Sequence, residues 1–430
     1  MSSRIVICTN GTLGDFYPYL AIALELKARG HSVVLATGRL YQTEVETQGI
    51  EFYPIQPDLS SYTPEALRAA ISKMMDCKRG TEYVLRQLLI PHVKTSYDAM
   101  MDIVRGADLL LTHPLFFAGP LVAEKTGIRW VSTVLAPISI PSIYDPAVLN
   151  ADSLIQPKMV KPWLARLLQQ LGRWYLRPWS EPIRQLRNEL GLSIGGDPLF
   201  EGQFSPHLVL ALFSQVLAIP QPDWPSQVRI AGFMFDDRDR TNRLPPELID
   251  FLDAGSPPIV FTLGSSAVWD ADDFFIESAL AARRSGYRAV LLAGPDVDRL
   301  PSECLSENIV AFGYVPHSAL FPRAAAIVLH GGIGTTAQAL RSGRPMLFVP
   351  YAHDQPDNAA RAKRLGVARI LSRRRYKANR LAIELRSLLE DSSYTNRAAE
   401  ISLRVRAETG VRAACDAIEA QLKVPPRVVT

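Results

Sequence analysis

The sequence predicts an α/β protein of two doubly wound parallel sheets, and three observations carry that expectation. Residues 4–30 run from a short apolar, β-branched stretch through a glycine loop into a helical pattern closed by Gly30, the order of a strand, loop and helix unit. The same order starts again at residue 259. Between the two series lies a polar, turn-prone stretch, 236–246, ending in Pro245 and Pro246 and suited to a linker. The length of 430 residues agrees, since at roughly 100–200 residues per domain it asks for two or three.

In chain order, residues 4–9 form the first strand. Pro18 suits a first helical turn, and Leu20, Ala23, Leu24 and Lys27 follow at helical spacing before a second strand at 32–36. Apolar runs at 107–112, 130–134 and 207–211 continue the alternation and fill a first domain over 1–235. The second series has runs at 259–263, 289–293, 309–312, 325–329 and 346–349, each short and apolar as strands buried on both faces are, within a second domain over 247–393. Residues 394–422 read as one continuous helix, stopped by Pro425 and Pro426, in a segment 394–430 that crosses back to the first domain. A helical insertion at about 157–192 interleaves Trp163, Trp174 and Trp179 with Lys158, Lys161, Arg166, Arg173, Arg177, Arg184 and Arg187. It reads either as a solvated basic face over the first domain or as a contact with an anionic membrane surface.

Composition excludes several classes. Hydrophobic residues at 47% and charged residues at 21% are globular values, which sets aside disordered and fibrous chains. A net charge of +4, from 47 Lys and Arg against 43 Asp and Glu, is too balanced for a general nucleic-acid binder. Nine basic residues between 361 and 380, with no acid among them, read as a solvated face. Cys8, Cys77, Cys304 and Cys415 lie far apart, which suggests neither a disulfide framework nor a zinc site and fits a reducing compartment. With no signal-peptide pattern and no long apolar run, the expectation is a cytoplasmic protein.

Three loops carry candidate chemistry. Gly11 and Gly14 resemble part of a dinucleotide fingerprint, and Arg39 offers a partner for a 2′-phosphate, so an NADP-dependent reductase is one reading. Asp15 opposes it, because a carboxylate at the start of this helix would occupy the electropositive site a pyrophosphate needs; by itself Asp15 reads as a helix cap or first-turn acid. The loop from His330 through Gly331, Gly332, Gly334, Thr335 and Thr336 is stronger. Its glycines let amides approach an anion, the helix start adds partial positive charge, and His330 and the two threonines supply donors, as a diphosphate cradle requires. Gly264, Ser265 and Ser266 end the second domain's first strand, on the same sheet edge. Asp354 and Gln355 follow another strand on that edge and offer acceptors and donors for vicinal hydroxyls.

Taken together and in this order, the 11–15 loop, the 264–266 loop, the 330–336 loop and the run from His353 through Asp354, Gln355 and Asn358 resemble the nucleotide-sugar glycosyltransferases of family 1, which have the two-domain GT-B fold. The likeness spans nearly the whole chain and is nearest to the bacterial rhamnosyltransferase, macrolide and glycopeptide branch, with sterol glucosyltransferases related. It implies two Rossmann-like domains facing an interdomain cleft, the first binding the acceptor and the second the donor. Asp15 falls where the family places its general base, a role compatible with capping. His330 and Gly331 to Thr336 match the donor-diphosphate loop, Ser265 and Ser266 its companion, and Asp354 and Gln355 the donor-sugar contacts. Tyr314 and Val315 match the segment beside the nucleobase. Gln338 stands where many members carry a glutamate for the ribose, which leaves UDP against dTDP open.

The implied reaction is an inverting transfer of a hexose or 6-deoxyhexose to a hydroxyl of a lipophilic acceptor, with Asp15 as base and neither metal nor cofactor. Thr12, Phe116, Phe117 and Tyr144 are candidate acceptor contacts, with Met74, Met75 and the tryptophans of the first half as further apolar lining. The pairs Asp237/Asp239, Asp270/Asp272 and Asp296/Asp298 read as solvated acids rather than a metal motif. A non-catalytic partner of the same fold is the remaining alternative to an enzyme.

Overall fold

The computed structural model describes residues 2–150, 161–235 and 243–423. Most of the expected linker, the first residues of the insertion, Asp237, Asp239 and the terminal prolines lie outside the described residues.

The first sheet holds seven parallel strands, β1 (Arg4–Cys8), β2 (Ser32–Thr37), β3 (Glu51–Pro54), β4 (Leu109–Thr112), β5 (Arg129–Val134), β6 (Val209–Ala211) and β7 (Val228–Ile230), in the order β3-β2-β1-β4-β5-β6-β7. The second holds six, β8 (Ile259–Thr262), β9 (Ala289–Leu292), β10 (Ile309–Phe312), β11 (Ala326–Leu329), β12 (Met346–Phe348) and β13 (Ala368–Ile370), in the order β10-β9-β8-β11-β12-β13. Central strands are buried, β11 throughout and β1 from Ile5 onward, because helices cover both faces of each sheet. These are the Rossmann-like domains of a GT-B architecture.

The apolar-run reading found ten of these strands and missed β3, β7 and β13, all of which lie on sheet edges. An edge strand is covered on fewer sides, so Glu51, Arg229 and Arg369 interrupt the apolar pattern that marks the interior strands. The first helix differs in a second way. It begins at Leu13, which puts Pro18 in its second turn rather than its first. Proline has no N–H to give the Gly14 carbonyl, so the helical ladder is already broken beside the loop.

The two domains share much of their cores. One apolar cluster runs from Val134, Val209 and Phe213 through Leu248 and Phe251 to Val260, Ile327 and Phe348. The helix Pro64–Met74 leaves the first domain and gives Ile71 and the adjoining Met75 to the second domain's core. Its Arg68 donates to both carboxylate oxygens of Asp296, at 2.8 and 2.9 Å.

The terminal segment, expected as one helix, is two, Ser392–Arg406 and Gly410–Leu422. The break has a packing reason. The first piece serves the second domain, where the Ser402 hydroxyl donates to the Arg341 carbonyl at 2.6 Å. The second buries Ala414, Cys415 and Ile418 against the first domain, where Arg29 pairs with Asp416 and Glu419 at 2.6 and 2.9 Å. A straight helix cannot lie along both surfaces.

Candidate active site

Strand order reverses between β1 and β4 in one sheet and between β8 and β11 in the other. Loops leaving such a pair diverge and open a crevice at the carboxyl edge of the sheet. The loops after these four strands carry Asp15, His113, Ser265 with Ser266, and His330.

Asp15 is the third residue of the helix Leu13–Ala28, and its carboxylate turns back on the loop. Oδ2 accepts from the Thr12 amide at 2.8 Å and from the Thr12 hydroxyl at 3.1 Å. Gly11, at φ +131°, makes room for it, since a β-carbon there would lie 2.2 Å from Oδ2. The Tyr41 hydroxyl holds the same loop by donating to the Gly11 carbonyl at 3.0 Å. Oδ1 faces His113 Nε2 at 3.3 Å. The Leu115 amide donates to His113 Nδ1 at 3.0 Å, which assigns the ring proton to Nε2 and makes the imidazole a donor to Asp15. With its side chain 1% exposed and both nitrogens engaged, His113 positions the carboxylate; Asp15, 27% exposed, is the member of the pair that reaches solvent. Burial pushes the Asp15 carboxyl up, but the His113 ring and the Thr12 donors outweigh it and hold the group below its ordinary value.

In the second domain, the His330 ring lies over Gly264, where a β-carbon would come within 2.4 Å of Cε1, so the 264–266 and 330–336 loops pack directly together. Burial pushes His330 down to about 3 and leaves it neutral at ordinary pH. In this neutral state the ring can serve a ligand as a hydrogen-bond donor. Four buried polar atoms here have no protein partner among the described residues: His330 Nδ1, Thr336 Oγ1, Gln338 Oε1 and Asn358 Oδ1. Buried polar groups are seldom left unpaired, and this set joins donors suited to phosphate with acceptors suited to hydroxyls. The two sides meet where a β-carbon on Gly334 would lie 3.4 Å from Gly14 Cα, so the helix starts of the two domains face one another.

Asp354 and Asn358 complete the site. The Asn358 amide donates to Asp354 at 2.7 Å and to the Gly331 carbonyl at 3.0 Å. Burial pushes Asp354 up to about 7, with added repulsion from Asp15 across the cleft. The two carboxyls are driven apart, Asp15 kept ionised and Asp354 kept protonated below neutrality. His353 adopts a left-handed φ of 59° and its Nδ1 lies 3.2 Å from the Thr81 hydroxyl of the first domain. Because the native state holds the Asp354 proton through the window from about 4 to 7, stability falls as pH rises through that window. Asp354→Asn is expected to raise the melting temperature by a few degrees at pH 8 and by little near pH 4; equal shifts at both values would contradict the assignment.

Other expected site residues are placed differently. Gln355 Oε1 accepts from the Tyr351 and Ala352 amides at 2.8 and 3.2 Å, which leaves only its amide nitrogen to donate to a ligand. Val315 is buried in the core, so beside a nucleobase it offers its backbone, whereas Tyr314 is exposed. Phe116 and Phe117 are buried in a core cluster of the first domain, whereas Tyr144 is exposed. Met75 belongs to the second domain's core, and Trp130 and Trp224 are buried. The acids read as solvated are largely paired: Asp270 and Asp272 with Arg373, and Asp296 with Arg68. Most cations of the basic run 361–380 are exposed, as a solvated face requires, but Arg361 is buried and Arg369, Lys377 and Arg380 pair with Glu384, Glu277 and Glu384. His113 was missed although it follows an apolar strand as Asp15 does; the signal was present, but only the strand order puts the two loops side by side.

Residues 5–138 match the glycosyltransferase family 28 N-terminal domain, and residues 290–415 match the C-terminal domain of erythromycin biosynthesis protein CIII-like proteins. The O-mycaminosyltylonolide 6-deoxyallosyltransferase of Streptomyces fradiae is 33% identical over 435 residues, covering 97% of each chain. Sterol 3-beta-glucosyltransferase UGT80A2 of Arabidopsis thaliana is 29% identical over 381 residues, 85% of this chain and 57% of that one. The crystal structure of glycosyltransferase VinC in complex with dTDP shares the fold, with a TM-score of 0.66 and 19% identity over 97% of this chain and 99% of that one. Identity to a relative along nearly its full length, with the first half matched by a glycosyltransferase domain on a GT-B architecture, shows that the chain belongs to the GT-B nucleotide-sugar glycosyltransferases and is itself a glycosyltransferase.

Proposed function

We propose that the protein moves a hexose or 6-deoxyhexose from a UDP- or dTDP-sugar to a hydroxyl of a lipophilic polycyclic or macrocyclic acceptor, with inversion and without a metal or other cofactor. The acceptor class follows the macrolide and sterol relatives, and the observation that carries the reaction is the Asp15 carboxylate, held ionised by His113 and Thr12 opposite the diphosphate loop.

In this reading the acceptor hydroxyl lies against Asp15, which takes its proton as the oxygen attacks the anomeric carbon. A carboxylate of low pKa is a weak base for an alcohol, so proton transfer comes late, as the attacking oxygen gains positive charge. His113 keeps the carboxylate aimed and ionised. The nucleoside diphosphate leaves toward the start of the helix Ile333–Ser342, where its amides, Thr335, Thr336 and neutral His330 stabilise the developing charge. Asp354, protonated below neutrality, donates to a sugar hydroxyl, and Asn358 and Gln355 add further contacts. The loop at Gly11 no longer suits a pyrophosphate, because the Asp15 carboxylate fills it, which removes the support for a nicotinamide cofactor.

A thermal-shift titration tests the donor assignment. UDP or dTDP is expected to raise the melting temperature with concentration as RT ln(1 + [L]/Kd), and NADPH is expected to have no effect. A response to NADPH alone would overturn the reading.

A further inference from the structure

Outside the cleft, the helix Pro162–Leu176 carries a feature that the transfer reaction does not use. Of its 15 residues only Ala165 is buried, while Trp163, Leu167, Leu168, Leu171, Trp174 and Tyr175 are exposed, Trp163 at 65% and Trp174 at 75%. At about 100° per residue these six side chains occupy one continuous arc of about 140°, opposite the side that rests on the protein. The neighbouring helix Glu181–Glu189 is built the ordinary way round, with Ile183 and Leu186 in the core. The first helix is thus held against the domain with its apolar face outward.

Its charges select the occupant. From residue 161 to residue 180 there are four cations, Lys161, Arg166, Arg173 and Arg177, and no acid. Arg173 is committed to Glu201 at 2.7 Å and to the Phe200 ring. Lys161, Arg166 and Arg177 are exposed and make no ion pair among the described residues; Arg166 lies on the helix, and Lys161 and Arg177 stand immediately before and after it. An apolar strip with indole and phenol rings, bordered by free cations and lacking acids, complements a bilayer surface that carries negative headgroups, where rings settle at the interface and cations meet phosphates. At about 22 Å the helix is too short to span a bilayer but long enough to lie in its surface, and among the described residues no helix is long and apolar enough to cross one.

We infer that the helix Pro162–Leu176 docks the enzyme on anionic phospholipid surfaces. This stands apart from the acceptor assignment, since it is read from the surface alone and its test needs no turnover.

The test is flotation of the full chain with vesicles of phosphatidylcholine containing phosphatidylglycerol, compared with phosphatidylcholine alone and at low and high salt. Binding is expected to the anionic vesicles and to weaken in high salt. Trp163→Ser with Trp174→Ser is expected to weaken it about tenfold or more, and Arg166→Gln with Arg177→Gln about fivefold per charge removed. All four positions are exposed, so unchanged melting curves confirm folded variants. Absence of binding to anionic vesicles, or equal binding by wild type and the double tryptophan variant, would overturn the proposal. So would a wild-type dimer in sedimentation velocity that the tryptophan variant dissociates, which would assign the face to a second copy of the chain.

Discussion

Asp15→Asn is expected to lower kcat for sugar transfer by about 10²–10⁴-fold, the usual contribution of a positioned general base, with the donor KM nearly unchanged. The split follows from the geometry, since Asp15 belongs to a helix of the first domain whereas the groups suited to diphosphate lie on the loops after β8 and β11 in the second. The wild-type pH profile should carry the same signature. With the carboxyl held below its ordinary value, the acid limb of kcat/KM should appear only below the ordinary carboxylate range. His113→Ala removes the donor to Oδ1 and leaves burial less opposed, so the limb should move upward. An Asp15→Asn enzyme turning over at the wild-type rate, or a limb that stays in place in His113→Ala, would contradict these roles.

Arg361→Ala is expected to cost about 3–5 kcal/mol of stability, the largest stability effect among the substitutions considered. Arg361 and Asp357 are 2% and 0% exposed, and the guanidinium Nε donates to Asp357 at 2.6 Å. The same guanidinium reaches across the domain boundary to Asp145 and, at 3.2 Å, to the Leu217 carbonyl. Asp357 in turn accepts from the Val148 amide at 3.0 Å. Removing the arginine strands a buried carboxylate and unfastens the two domains beside the helix that begins next to Asp354. Thermal melting and hydrogen exchange should both show the loss, with faster exchange in the Val148 and Asp357 segments. Because unfolding of two domains need not be all-or-none, exchange is the more informative readout. Melting and exchange like those of wild type would show that this network carries no stability.

Much of the fold was legible because both sheets are parallel and buried. Runs such as 5–8 and 326–329 are apolar at every position, and glycine loops mark where the chain turns into a helix. The edge strands β3, β7 and β13 were illegible for the converse reason, since Glu51 pairs with Arg4, Arg369 with Glu384, and exposed Arg229 with nearby carbonyls. The donor loop could be read from His330, its glycines and its threonines, because an amide cradle needs those residue types in a contiguous stretch. His113 was not read, because its role depends on β4 lying beside β1, a fact of strand order that local pattern does not encode. The same limit explains Arg361, which looked like one cation in a basic run and is the centre of an interdomain ion network whose acids lie at 145 and 357.

The central claim is a single displacement with Asp15 as base, and the anomeric configuration of the product tests it most directly. Proton NMR of the glycoside formed from an α-linked UDP- or dTDP-sugar, in the presence of EDTA, should show a β-linkage formed at an undiminished rate. An α-linked product, or transfer abolished by EDTA and restored by added metal, would contradict the account.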